Sequence, residues 1–231
     1  MIEFNQNLNE LNSTIINCRR CPRLVEWRER IARTKKKAYT KWEYWGKPVP
    51  GFGDIDGKIL ILGMAPGAHG SNRTGRMFTG DASGDFLYPA LYNAGFANQP
   101  VSVSVNDGLK LRKIYISAVC RCVPPDNKPT KEEIANCRIF LDSELTLMKN
   151  MVGIVALGKI AFDSAYDIVK MKQGVNTANP PQFGHGKLYF SNDHIFPWLL
   201  ASYHPSRQNT QTGRLTELML QKIWETARKL L

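Results

Sequence analysis

Residues 58–70 read KILILGMAPGAHG, an apolar run that passes directly into a loop rich in glycine. The run 58–63 predicts a strand buried on both faces, because a strand with one face in water would alternate apolar and polar residues. Glycines in the loop allow the backbone to approach a ligand closely, and successive N–H groups there can cradle an anion. The loop matches neither G-x-G-x-x-G nor the Walker pattern, which disfavours dinucleotide and nucleoside triphosphate binding.

Strand and helix patterns alternate on both sides of this stretch. Further strands are predicted over 113–119, 152–157 and about 194–202, and helices over 3–17, 24–33, 83–93, 130–148, 159–170 and about 215–230. This alternation predicts an α/β fold with a parallel sheet covered by helices on both faces. No linker or repeat interrupts residues 1–231, so a single domain is expected. Functional residues should then lie beyond the carboxyl ends of the strands, in the loops after Leu62, Val119 and Ser202.

Positive charge is concentrated near the N-terminus. The 231 residues carry 31 Lys and Arg against 20 Asp and Glu, a net charge of +11, and the 43% hydrophobic content excludes a disordered or fibrous chain. Residues 19–47 alone hold eleven Lys and Arg, three Glu and the aromatic residues Trp27, Trp42, Tyr44 and Trp45. Cations among aromatic rings favour binding to a nucleic-acid backbone. The alternative is a solvated helix followed by an exposed turn at 35–37.

The five cysteines, at positions 18, 21, 120, 122 and 137, are typical of a metal site. Cys18 and Cys21 form a C-x-x-C pair, and Cys122 and Cys137 supply a distant second pair, which suits either tetrahedral zinc or an iron–sulfur cube. Cys120 leaves the fourth ligand ambiguous.

Residues 1–12 are polar and unlike a signal peptide, and no apolar run is long enough to span a bilayer, so a reducing, cytoplasmic location is expected.

Two further loops carry polar residues. Residues 72–81, NRTGRMFTGD, combine Arg73, Phe78 and Asp81 ahead of a helix, although Asp81 or Ser83 could serve simply as the helix N-cap. Residues 203–214, YHPSRQNTQTGR, form a cationic loop with His204 at a strand end and no acidic residue, a composition that favours contact with DNA.

Three blocks in order, GMAPGAHG with NRTGRMFTGD, CVPPDNKPT with the following helix and cysteine, and SYHPSRQNTQTGRLT, resemble the uracil-DNA glycosylase superfamily. Specifically, they are similar to its iron–sulfur-containing family 5, the UDGb type, from about residue 18 to the final helix. The resemblance implies a three-layer α/β/α fold with a central four-stranded parallel sheet. It also implies a [4Fe–4S] cluster that acts as a structural staple, tying the basic segment 1–47 to the domain. The implied ligands are Cys18, Cys21, Cys122 and Cys137, with Cys120 spare.

The resemblance further implies a monomeric DNA repair glycosylase that flips out and excises uracil, and other deaminated bases such as hypoxanthine, to leave an abasic site. The implied catalytic residues are Asp81 as general base, His204 as donor to the leaving base, and Asn127. Phe78 would stack on the base. Close contacts to the flipped nucleotide would come from Gly63, Ala65, Gly67 and Ala68, and DNA contacts from Arg73, Arg207, Gln208 and Arg214.

This sequence departs from the wider superfamily at two positions. Met64 stands where related families carry a polar residue that activates water. Ala118 stands where they carry an asparagine that recognises uracil. Loss of that asparagine amide should relax the choice of base. Two other classes of protein remain open: a non-enzymatic zinc or iron–sulfur module that binds nucleic acid, and an iron–sulfur electron carrier.

Overall fold

The computed structural model describes residues 7–173, 181–189 and 197–231. Its centre is the predicted parallel sheet, formed by β2 (Ile59–Gly63), β3 (Ile114–Ala118), β4 (Gly153–Leu157) and β6 (Trp198–Ser202). Each of these strands is buried along its whole length. Two short antiparallel strands, β1 (Phe52–Gly53) and β5 (Leu188–Tyr189), extend the sheet to the order β1-β3-β2-β4-β6-β5. The sequence pattern missed both edge strands because two residues carry no periodicity.

Eight helices complete the described part of the chain. They are α1 (Leu8–Ile16), α2 (Pro22–Thr34), α3 (Ser71–Thr74), α4 (Ala82–Asn93), α5 (Lys131–Leu147), α6 (Lys159–Gln173), α7 (Arg207–Gln211) and α8 (Glu217–Lys229). Short 3₁₀ turns lie at Lys37–Tyr39 and Pro125–Asn127. The predicted capping box at Thr130 is present: its side chain accepts from the N–H of Glu133, whose carboxylate accepts from the N–H of Thr130. None of the described helices is long and apolar enough to cross a membrane.

Side chains of the central strands alternate between two separate cores. Ile59 and Ile61 of β2 face α4 and α8, whereas Leu60 and Leu62 face α1, α5 and α6. This is the alternation expected when helices cover both faces of a sheet. The three-layer α/β/α prediction is therefore confirmed, with two antiparallel edge strands added to the parallel centre. Parts of two predicted elements, 3–6 of the first helix and 194–196 of the last strand, lie outside the described residues.

All four parallel strands end at the same edge of the sheet. The loops that follow β2, β3, β4 and β6 consequently meet there. The N-terminal segment reaches the same edge, where the backbone N–H of Trp45 and Gly46 donate to the carbonyl oxygens of Arg73 and Asn72.

Candidate active site

A cavity of about 490 Å³ opens at the carboxyl edge of the sheet. Its walls come from all four loops, and they include Asp81, His204, Asn127, Phe78, Gly63, Ala65, Gly67 and Gln208. Most of the site residues predicted from sequence are thus brought together. The turn after β4 adds Gly158, Lys159 and Ile160, which the sequence analysis overlooked. Their position at the carboxyl end of a parallel strand was the signal that could have found them.

Asp81 is both a helix cap and a wall of the cavity. Its Oδ1 accepts hydrogen bonds from the backbone N–H of Ser83 (3.0 Å) and Gly84 (3.2 Å), which fixes the carboxylate at the N-terminus of α4. Its Oδ2 lies over the glycine-rich loop, 2.8 Å from where a Cβ on Gly67 would stand and 1.8 Å from one on Gly70. Burial raises the pKa of Asp81, against the lowering effect of the two N–H donors.

Gly67 and Gly70 therefore have a steric role that the sequence pattern did not specify. Both leave room for the carboxylate of Asp81, because a side chain at either position would occupy the space of Oδ2. Ala68, predicted to contact a nucleotide, is not among the residues lining the cavity. The carbonyl oxygen of Gly67 accepts from the N–H of Asn72 (3.0 Å), so the chain turns away from the cavity at this point to begin α3.

Phe78 and His204 face each other inside the cavity. Their ring centroids are 5.7 Å apart and their planes differ by 32°. Phe78 has a φ of 51°, a left-handed conformation that is unfavourable for an aromatic residue and concentrates at functional sites. Burial lowers the pKa of His204 to about 4, so its imidazole is neutral at physiological pH. The carbonyl oxygen of His204 accepts from the Asn209 amide (2.8 Å), which fixes the loop behind the ring.

Asn127 reaches the cavity from a constrained turn. Asp126 and Asn127 adopt consecutive left-handed conformations, with φ of 53° and 54°. Asn and Asp tolerate this region better than other side chains, and the preceding Pro124 and Pro125 limit the alternatives. Ala118, the last residue of β3, and Met64 line the same cavity.

The predicted DNA contacts fall into two groups. Arg207 and Gln208 are exposed on α7, which is capped by Ser206 where the sequence predicted only a loop, and Arg214 is exposed with its guanidinium 4.7 Å from the Tyr203 ring. Arg73 is different, because it is only 3% exposed and donates to backbone carbonyl oxygens. The expectation that Arg73 contacts DNA directly is therefore wrong for this conformation.

The aromatic residues of the basic segment pack against the protein. Tyr39 and Trp42 cover the guanidinium of Arg73, and the Tyr44 hydroxyl lies 3.1 Å from Nδ1 of His69. Tyr44 is buried, whereas Trp27, Trp42 and Trp45 are half-buried, so part of each tryptophan surface remains accessible. The cations at 33, 36, 37, 41 and 47 remain exposed beside the cavity loops.

A second, smaller cavity is lined by Cys18, Cys21, Cys122 and Cys137. Cys120 is not among its lining residues; it is fully buried in the core that contains α5. Among the described residues 7–173, 181–189 and 197–231, no three His, Cys, Asp or Glu converge closely enough to hold a single metal ion. A zinc ion needs its donors around one point, whereas a cube binds each thiolate at a separate iron. The four thiols around this cavity supply the thiolate ligands that either kind of site uses.

Hydrogen-bond donors surround these sulfurs. The Arg28 guanidinium donates to Sγ of Cys122 (2.9 Å), the Arg121 backbone N–H donates to Sγ of Cys137 (3.3 Å), and the Asn136 amide lies 3.8 Å from Sγ of Cys21. In the described structure, Nε of Arg28 and both Nε and Nη1 of Arg121 are buried without a partner. Two buried cations with spare N–H groups suit a negatively charged thiolate cluster.

Comparison with known proteins agrees with this geometry. The model of the uracil DNA glycosylase superfamily matches residues 50–228. A type-5 uracil-DNA glycosylase of Mycobacterium leprae is 48% identical over 225 residues, covering 97% of this chain and 96% of the relative. One of Thermus thermophilus is 48% identical over 219 residues, covering 94% and 95%. A type-4 uracil-DNA glycosylase of Thermotoga maritima is 30% identical over 177 residues, covering 76% and 79%. The chain therefore belongs to the uracil-DNA glycosylase superfamily and, within it, to the type-5 family.

Proposed function

We propose that this protein is a monofunctional glycosylase that removes uracil from DNA by hydrolysing the N-glycosidic bond, which leaves an abasic site. The observation that carries the proposal is the single cavity in which Asp81, His204, Asn127 and Phe78 meet. Its volume and its position at the edge of the sheet suit a nucleotide turned out of the duplex. Rotation of that nucleotide costs a few kcal/mol of stacking and pairing.

The flipped base enters between Phe78 and the glycine-rich loop. Stacking on the Phe78 ring supplies binding energy that does not depend on the identity of the base. Gly63 lies directly against that ring, since a Cβ there would be 3.1 Å from it, so glycine at this position lets Phe78 pack on the end of β2. Ala65 and Gly67 continue this wall of the cavity.

Asp81 stabilises the positive charge that develops on the sugar as the bond breaks. Its Oδ1 is already occupied by the α4 cap, which leaves Oδ2 to face the reacting centre or to accept a proton from the attacking water. We propose that Asn127, which lines the same cavity, orients that water through its amide. Water joins the anomeric carbon, the sugar–base bond breaks, and the electron pair leaves with the base.

His204 acts as a neutral hydrogen-bond donor to the departing base. The negative charge of the leaving base collects on its carbonyl oxygen, where a fixed N–H donor stabilises the transition state more than the ground state. Because the pKa of His204 is about 4, the imidazole donates a hydrogen bond from its neutral form across the physiological range.

The range of excised bases follows from the walls beyond these groups. Ala118 and Met64 offer no side-chain hydrogen bond with which to select uracil, so we propose that other deaminated bases such as hypoxanthine are also excised. A cavity of about 490 Å³ does not require a pyrimidine.

We propose that Cys18, Cys21, Cys122 and Cys137 hold a [4Fe–4S] cluster. Its contribution is structural, because it ties α2 and the basic segment to the α/β domain at the edge where the cavity lies. The exposed cations of that segment, together with Arg207, Gln208 and Arg214, then supply a sequence-independent grip on the phosphate backbone that weakens with salt. We further propose that residues 1–231 form one domain that acts as a monomer.

A duplex with one deoxyuridine tests the proposal. Incubation followed by alkali should cleave the strand at that position, and Asp81→Asn and His204→Ala should each reduce the rate by at least about 100-fold. Asp56→Asn is the matched control, since Asp56 is exposed at the opposite edge of the sheet. A parallel duplex with hypoxanthine measures the breadth of substrate choice.

Different results would support the other classes of protein. Tight DNA binding without alkali-labile sites would indicate a non-enzymatic module, and reversible reduction with no effect on uracil-containing DNA would indicate an electron carrier. Visible absorption at about 400 nm would distinguish an iron–sulfur cluster from a zinc ion at the cysteine site.

A further inference from the structure

Arg73 lies behind the cavity on α3 and closes the loop that carries Asp81. Its Nε donates to the carbonyl oxygen of His69 (2.7 Å), and its Nη2 donates to the carbonyl oxygen of Gly80 (2.6 Å). His69 belongs to the glycine-rich loop, and Gly80 immediately precedes Asp81. One planar guanidinium therefore joins the two segments whose separation sets the space around the Asp81 carboxylate.

Two aromatic rings from the N-terminal segment enclose this guanidinium. Its central carbon lies 3.9 Å from the centroid of Tyr39 and 4.2 Å from that of Trp42. Cation–π contacts at these distances hold the guanidinium against the rings. The backbone pairing of Trp45 with Arg73 holds the same segment in place. Arg73 is thus fixed by contacts on its faces as well as its edge.

The guanidinium also places a buried positive charge near Asp81. Burial raises the pKa of Asp81, the N–H donors of Gly84 and Ser83 lower it, and charge attraction from Arg73 lowers it by a smaller amount. Asp85, on the same helix, raises it. Of the other ionisable groups around the cavity, His204 is neutral, and Lys159 is exposed and bound to Asp163 through both carboxylate oxygens (2.8 Å).

His69, next to the same loop, also contributes no positive charge at neutral pH. Burial lowers its pKa, and the nearby Lys36 and Arg73 lower it further. Arg73 is consequently the cation that faces the Asp81 loop from inside the protein.

We infer that Arg73 is a positioning residue for Asp81: it braces the loop that holds the carboxylate and places a buried positive charge beside that loop. The inference rests on the proposed glycosylase function, and it assigns the aromatic segment at 39–46 to the support of the active site. Contact with a DNA phosphate does not explain Arg73, because its guanidinium is covered by two rings and two carbonyl oxygens.

Charge-retaining and charge-removing variants separate the two parts of this role. Single-turnover excision of uracil is measured across pH for wild type, Arg73→Lys and Arg73→Gln. We expect Arg73→Gln to lose about 100-fold in rate at neutral pH, because the carboxylate is misplaced. We also expect the acid limb of its pH–rate profile, where the rate falls as Asp81 is protonated, to move to higher pH. Arg73→Lys should lose rate without moving that limb. An Arg73→Gln acid limb at the wild-type pH would overturn the inference.

A double mutant tests whether Arg73 acts through Asp81. If it does, Arg73→Gln should cost little in an Asp81→Asn background, because the group that it supports is already disabled. Fully additive losses would overturn the inference.

Trp42→Leu keeps the charge of Arg73 and removes one of the two rings that cover its guanidinium. It should therefore slow excision while leaving the acid limb of the pH–rate profile in place. This variant also keeps the test available if Arg73→Gln is poorly folded.

DNA affinity provides the matched control. Binding to a duplex with an abasic-site analogue should be unchanged in Arg73→Gln and weakened in Arg207→Gln, which removes an exposed cation. Weaker DNA binding by Arg73→Gln, together with an unshifted pH–rate profile, would indicate that Arg73 contacts DNA and would overturn the inference. Lack of excision by wild type would instead contradict the proposed function itself.

Discussion

Gly70→Ala perturbs the active site through a single methyl group. Gly70 has a φ of −101° and a ψ of −102° at the start of α3, and a side chain there would enter the space next to the loop. A Cβ there would lie 1.8 Å from Oδ2, 2.4 Å from Cγ and 2.8 Å from Cβ of Asp81. Because all three atoms are too close, rotation of the carboxylate oxygens alone cannot relieve the clash.

The carboxylate must therefore move by about 1 Å or more, and a displacement of that size costs about 100-fold in rate when the group takes part in the chemistry. Movement would also weaken the hydrogen bonds from Ser83 and Gly84, which cap α4 and are together worth about 1 kcal/mol. Gly67→Ala meets only Oδ2, at 2.8 Å, so its effect should be several-fold smaller.

Single-turnover excision of uracil and thermal unfolding measure these two effects separately. We expect Gly70→Ala to fall about 100-fold in rate and its unfolding free energy to drop by at least about 1 kcal/mol. Gly67→Ala should be intermediate in rate and close to wild type in stability. Wild-type excision by Gly70→Ala would refute the assignment of Asp81 to the reaction, since the carboxylate cannot keep its position beside that methyl group.

Three further predictions concern groups at the two cavities. Asp81→Asn should keep the stability of wild type, because asparagine caps a helix as well as aspartate, while Asp81→Ala should lose about 1 kcal/mol, measured by chemical denaturation. The pKa of His204 is lower in the folded than in the unfolded chain, so the unfolded chain takes up the proton first as the pH falls. The free energy of unfolding therefore declines as pH falls from about 6.5 toward 4. Between pH 7 and 5, wild type should lose about 1–2 kcal/mol more of this free energy than His204→Asn. Arg28→Met removes the hydrogen-bond donor to Cys122, so its absorbance at about 400 nm should be lost faster under air than that of wild type. Equal decay rates in Arg28→Met and wild type would contradict a role for that hydrogen bond.

The central strands and the location of the cavity could be predicted because both depend on local pattern. Continuous apolar runs at β2 and β4 indicate strands buried on both faces, and parallel strands bring the loops that follow them to one edge. Asp81 also illustrates a limit of sequence interpretation. Its use as a helix cap and its use in a cavity appeared as alternatives, whereas the structure shows that the carboxylate caps α4 through Oδ1 while Asp81 also lines the cavity.

Burial of charged side chains could not be predicted from composition. Arg28 and Arg73 looked like members of a cationic surface, yet each is nearly fully enclosed, one beside a cysteine and the other between two rings. The difference depends on tertiary contacts with residues distant in sequence. The short α7 and the turn at Gly158 were missed for the related reason that a few residues contain too little periodicity to stand out.

The contacts that fix α2 have a consequence for biosynthesis. Arg23 on this helix pairs with Glu133, and Arg28 reaches Cys122, across separations of 110 and 94 residues. A ribosome releases the helix before it releases either partner, so the nascent basic segment stays undocked while the next 94 to 110 residues are made. During that interval Cys18 and Cys21 are separated from Cys122 and Cys137. Docking of α2 therefore depends on the order in which chain release and sheet closure take place.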